Sequence, residues 1–122
     1  MIYGDDLHFS ISDDDNMEIV AVQIHLVDFF NEDKNNALGK LIYGKGNNDS
    51  DKTEGAKKNN VIFTNALGPV FIKNPWFAEK IINDALTATG RNKCEKINKD
   101  FYDIELKSAE KIKEFIAHKT EN

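Results

Sequence analysis

Residues 7–27 read LHFSISDDDNMEIVAVQIHLV, and the fold class turns on this stretch. Leu7, Phe9 and Ile11 alternate with His8, Ser10 and Ser12, the period of a half-buried strand. The run Asp13-Asp14-Asp15-Asn16 is turn composition. From Glu18 to Phe30 the chain is rich in β-branched and aromatic residues, with Val20, Val22, Ile24 and Leu26 in alternation. A hairpin turning at residues 13–16 pairs positions whose numbers sum to about 29. Leu7 then opposes Val22 and Phe9 opposes Val20, so the apolar sets share one face. The other face carries Asp6, His8, Ser10, Gln23 and His25, with Ile19 and Ala21 among them. A helix over 13–34 is the rival reading, because Glu18, His25, Asp28 and Glu32 fall on one stripe at helical spacing.

Outward from this stretch, Leu38–Tyr43 reads as a strand between glycines. Residues 46–60 hold no large apolar side chain and predict a mobile internal surface loop. Val61–Thr64 and Val70–Ile72 read as further short strands. Asn74-Pro75 starts a helix that Gly90 ends, with Ala78, Ile81, Ile82, Ala85 and Leu86 inward. Phe101–Leu106 alternates apolar and acidic residues and predicts a last strand. Ser108 then caps a final helix burying Ala109, Ile112, Phe115 and Ile116. The sum is an α+β fold over 1–122 as a single domain, an antiparallel sheet with an N-terminal hairpin and two C-terminal helices.

The net charge of −5 argues against a broad nucleic-acid-binding surface. Its distribution is skewed. Residues 1–34 hold nine acids (Asp5, Asp6, Asp13, Asp14, Asp15, Glu18, Asp28, Glu32, Asp33) against Lys34 alone. Such a segment creates a field that attracts a basic partner. In the hairpin reading Asp13, Asp14 and Asp15 sit at the turn, while Asp28, Glu32 and Asp33 gather with Asp5 and Asp6 at the far end. No apolar run approaches membrane-spanning length, and the first six residues lack the basic and apolar regions of a signal peptide. Cys94, the lone cysteine, excludes an intrachain disulfide. A cytoplasmic protein is expected.

Candidate chemistry is sparse. Gly39-Lys40-Leu41-Ile42-Tyr43-Gly44-Lys45-Gly46 approaches a phosphate loop, but Gly46 stands where the magnesium-binding hydroxyl belongs. Asp49–Gly55 echoes a calcium loop without its central glycine or closing glutamate. His8, His25 and His118 show no zinc spacing, and Cys94 has no evident base. No catalytic residue, metal or cofactor is therefore expected. A small hydrolase using His8 and His25 beside Asp6 remains an alternative, as does a non-catalytic binding module or phage or mobile-element accessory protein.

The acidic segment, the Asp13-Asp14-Asp15 run and the fourteen asparagines resemble, across the whole chain, the immunity proteins of bacterial contact-dependent growth inhibition. The resemblance implies stoichiometric binding of a cognate basic toxin domain, often a nuclease, with no direct contact to nucleic acid or membrane. The partner-binding residues expected on charge are Asp5, Asp6, Asp13, Asp14, Asp15, Asp28, Glu32 and Asp33.

Overall fold

The structure, a computed structural model, describes residues 3–121. Strand β1 (Tyr3–Ile11) and strand β2 (Asp14–His25) form the hairpin. Strands β3 (Gly39–Tyr43) and β4 (Thr53–Glu54) extend the antiparallel sheet in the order β2-β1-β3-β4. Strands β5 (Ala56–Lys58) and β6 (Val61–Phe63) form a separate two-stranded ribbon. The helices follow: α1 (Val70–Lys73), α2 (Pro75–Ala88) and α3 (Asp103–Glu121). The fold is thus α+β, with an N-terminal hairpin, an antiparallel sheet and helices in the C-terminal half. Two compact units divide the chain, Met1–Val70 with the strands and Phe71–Asn122 with the main helices.

The hairpin replaces the rival helix, but its register differs by one from the sum-29 expectation. Leu7 pairs with Ala21, His8 with Val20 and Phe9 with Ile19, so opposed numbers sum to 28. The cause lies at the turn. It is two residues long, Ser12-Asp13, and sets Ile11 against Asp14. Residues 15–17 of β2 are then absorbed as a bulge before Ser10 meets Glu18. A slip of one exchanges the faces of a strand. Gln23 and His25 therefore join Leu7, Phe9, Ile19 and Ala21 on the buried face, while Val22 and Ile24 are exposed, Ile24 by 57%. Val20 and His8 are buried on the opposite side of the sheet.

Residues 46–60, expected to be a mobile surface loop, are buried in part, while Asp49, Ser50, Lys52 and residues 58–60 are exposed. Asn47, Asn48 and Glu54 are buried and β4 and β5 lie within the segment. Here amide groups, not hydrocarbon, hold the buried part of the segment. Gly46 and Gly55 make this possible, each at positive φ and each so close to a backbone carbonyl (Thr53 for Gly46, Phe63 for Gly55) that a Cβ would clash.

In the helical unit α2 begins at Pro75, as Asn74-Pro75 predicts. The Asn74 backbone carbonyl accepts from the Phe77 and Ala78 N–H groups, whereas its side chain makes no cap. Gly90, at φ +75°, closes the helix by donating to the Thr87 carbonyl. Two expected strands are helical. Val70–Ile72 lies in α1, and Phe101–Leu106 is a 3-10 helix (Lys99–Tyr102) running into α3. Alternating apolar and acidic residues fit both periods over so short a window. Helix is favoured by Asn98, whose side chain accepts from Asp100 N–H, and by the Asp103–Lys107 pair at 2.8 Å. That pairing also raises the Lys107 pKa above its ordinary value. Ala109 and Ile116 are buried as expected, but Phe115 and Ile82 face outward. Trp76 and Tyr102 meet at 6.1 Å between ring centroids, and burial, with Glu79 adding to it, pushes the Tyr102 phenol up.

Candidate functional site

The buried face of β2 carries an organised set of polar groups. Gln23 lies opposite Asp5 in register and reaches past β1 to the turn after β3. Its amide nitrogen donates to the Gly46 carbonyl at 2.7 Å and its oxygen accepts from Gly46 N–H at 2.9 Å. The second amide hydrogen points at His25 Nδ1, 3.1 Å away. That nitrogen must therefore accept, which leaves the proton on Nε2, donating to Asp28 Oδ1 at 2.7 Å. Lys45 stands 3.9 Å from the same carboxylate oxygen and 3.5 Å from Asp49.

A second network adjoins it. The Asn47 side chain accepts from Gly55 N–H and Asn65 Nδ2 and donates to the Gly55 carbonyl. Glu54, fully buried, accepts from Thr64 Oγ1 at 2.6 Å, from Asn65 N–H at 2.7 Å and from Asn65 Nδ2 at 2.9 Å. Asn48 donates to the Phe29 carbonyl and to Asp51, and accepts from the Ser50 and Asp51 N–H groups. The Asn48 amide, aided by Lys34 at 3.4 Å, holds the Asp51 carboxyl below its ordinary value. These partners match every buried side chain named here with hydrogen bonds inside the fold. Such satisfaction stabilises a core and leaves few oxygens to act on a substrate.

None of these network residues was singled out as a core element from the sequence. The nearest signal was the Gly46-Asn47-Asn48 run, whose Asn and Gly content predicts turns but not burial.

The acids expected to bind a partner are distributed as follows. Asp13, Asp14 and Asp15 are exposed together at the hairpin tip. Asp13 lies 3.5 Å from Lys57, and Asp14 accepts from Asn16 N–H. Asp5 accepts from Tyr43 OH at 2.7 Å and from Asp6 N–H, and both residues are half-buried. Asp28 belongs to the His25 relay. Glu32 is exposed. Asp33 caps a 3-10 helix (Lys34–Asn36) by accepting from Asn35 N–H. The far-end cluster is therefore not assembled. Asp28 stays at the His25 end, while the chain after it runs back along the sheet to Ala37 and Leu38, whose carbonyls accept from Ser12 at the hairpin tip.

The register also separates the two histidines expected on one face. His25 is on the Gln23 face; His8 is on the opposite face, 3.5 Å from Glu18. The paired-imidazole geometry of the hydrolase alternative is not formed. Of the two loop resemblances, Gly39–Tyr43 is strand β3, and Asp51 faces Asn48 and Lys34. Among the described residues no group of three or more His, Cys, Asp or Glu side chains is placed to hold a metal ion. No described helix is long and apolar enough to cross a membrane.

No family model matches the chain. Comparison with curated proteins finds a likeness to the GatD subunit of lipid II isoglutaminyl synthase (glutamine-hydrolyzing) from Streptococcus pneumoniae. The two are 28% identical over 93 residues, which is 65% of this chain and 36% of that protein. The chain thus spans about a third of the length of the curated relative it matches.

Proposed function

We propose that this chain is an immunity protein that binds and neutralises a cognate basic toxin domain, a nuclease above all, through its acidic strand unit. The observation that carries the reading is the hairpin tip. Three consecutive carboxylates, Asp13 in the turn with Asp14 and Asp15 at the start of β2, stand exposed at the hairpin tip. Their mutual repulsion costs the free protein stability, and a cationic surface relieves it. Residues 1–70 hold twelve acids against six lysines, a balance of −6, whereas residues 71–122 hold nine acids against ten bases, +1. The field is therefore concentrated on the strand unit. A nuclease's phosphate-binding cleft is the complementary surface, and clustered carboxylates occupy or border it in place of the phosphates.

We take the tip as the contact because its three carboxylates are consecutive and exposed, whereas Asp28 is held by the buried His25 ring at 2.7 Å. Copurification from native cells identifies the partner. Stopped-flow association with that toxin domain then tests the surface. Neutralising Asp13, Asp14 and Asp15 to asparagine should slow association by about tenfold or more at low salt, and added salt should slow the unaltered protein similarly. Association that is indifferent to both changes would sink the proposal.

A further inference from the structure

The helical unit exposes several large apolar side chains. Phe101, Ile104 and Phe115 are 82%, 79% and 58% exposed, whereas Phe77, Ala109 and Ile116 are its buried apolar residues among those described. The exposed set on α3 is ordered. Ile104, Ser108, Lys111 and Phe115 follow one another at intervals of four, three and four, and all face outward, with Phe101 in the turn just before Ile104. That spacing is the seam of a helix that packs against another helix at a shallow angle. A separate stripe, Ala109, Ile112 and Ile116, faces inward, so the outer seam is additional to the helix's own packing.

We propose that α3 pairs antiparallel with α3 of a second copy of this chain along the Ile104–Phe115 seam. Charge selects that occupant and that direction. The first part of α3, residues 103–110, carries Asp103, Glu105 and Glu110 against Lys107. The remainder carries Lys111, Lys113 and Lys119, with His118, against Glu114 and Glu121. An antiparallel pair sets the acidic half of each helix beside the basic half of the other; a parallel pair sets like beside like. A two-fold axis midway between Ser108 and Lys111 brings Ile104 onto Phe115 of the second copy, twice by symmetry. It places Ser108, the small residue, under the long Lys111 stem, and brings Lys107 towards Glu114. The arrangement is self-complementary, as an isologous interface requires. It is independent of the toxin reading, since it uses the other unit of the chain.

Sedimentation equilibrium of the full chain over an about hundredfold concentration range should show the mass rising from 13.8 kDa towards twice that value. Ile104→Asp and Phe115→Asp, both at exposed positions, should each hold the mass at 13.8 kDa with circular dichroism unchanged. In a Cys94→Ser background, Ser108→Cys with Lys111→Cys should cross-link to a dimer on oxidation, whereas Lys111→Cys alone should not. A monomer at every concentration would overturn the proposal. A dimer that survives both aspartate substitutions would overturn it as well. Cross-linking by Lys111→Cys alone would mark a parallel pair and refute the direction.

Discussion

Gln23 and Gly46 are joined by two hydrogen bonds, amide nitrogen to carbonyl at 2.7 Å and N–H to amide oxygen at 2.9 Å, across 23 positions of sequence. This side chain closes against backbone much as one strand closes against another. It ties the turn after β3 to the buried face of the hairpin. Replacing Gln23 with leucine orphans both Gly46 groups and strips His25 Nδ1 of its donor. The expected loss is about 2–5 kcal/mol, since each buried unsatisfied group costs roughly 1–3 kcal/mol. Ile24→Asn, on the exposed side, should cost within about 0.5 kcal/mol. Urea denaturation of the two variants decides the register, because pairing at a sum of 29 predicts the reverse order.

The His25 ring should be found as the Nε2–H tautomer in its neutral form. Gln23 and Asp28 leave no other assignment of donors and acceptors. Long-range nitrogen-15 NMR reads this directly from the two ring shifts. A dominant Nδ1–H form would mean that the Gln23 amide is turned over and the Gly46 bonds are absent.

Gly46→Ala should destabilise by about 1–3 kcal/mol. The left-handed conformation alone costs an L-residue roughly 1–2 kcal/mol, and the new methyl meets the Thr53 carbonyl and the Leu41 side chain. Gly68→Ala is the control, because nothing lies within 4 Å of a Cβ there. Equal melting temperatures for the two variants would contradict the packing described around Gly46.

Glu54→Gln should cost about 1–3 kcal/mol although it preserves shape. One carboxylate oxygen becomes an amide donor, yet Thr64 Oγ1, Asn65 N–H and Asn65 Nδ2 all donate towards this group. Thr64→Val removes one donor and should cost less than Glu54→Gln. The ordering of the two midpoints in denaturant is the check.

Asp51 should titrate below its ordinary value of 3.8, because Asn48 and Lys34 favour the carboxylate. A carboxyl depressed on folding stabilises the native state above its unfolded pKa, and that contribution is lost as pH falls through the folded one. Lys34→Met should move the Asp51 midpoint upward in an NMR titration. An unchanged midpoint would place the effect on Asn48 and Ser50.

Local chemistry made several elements legible. Pro at the first helical position sets φ for α2, and Gly90 supplies the left-handed residue that ends it, so both boundaries could be read from a few neighbouring residues. Leu7, Phe9 and Ile11 marked β1 by period alone. The skewed charge and the exposed Asp13-Asp14-Asp15 tip were likewise visible in composition. The 101–106 stretch was not, because six residues fit a strand period as well as a helical one, and the Asp103–Lys107 pair weighs in only once the helix is longer.

The sequence by itself determined that residues 7–11 form a strand and that the N-terminal part of the chain is acidic, since both follow from side-chain type at short range; hairpin and helix both fitted residues 13–34, and the pairing of β2 with β1 decides between them. Tertiary structure alone decided which face of β2 turns inward. Ile24 is more apolar than Gln23, and burial by hydropathy would have placed it inside. Gln23 takes the interior because Gly46, brought there by β3, offers a donor and an acceptor that no local pattern announces. The bulge at residues 15–17 supplies the shift of register that lets it do so. Asn47, Asn48 and Glu54 are buried for the same reason: their partners at Phe29, Gly55, Thr64 and Asn65 exist as neighbours only after the chain has closed upon itself.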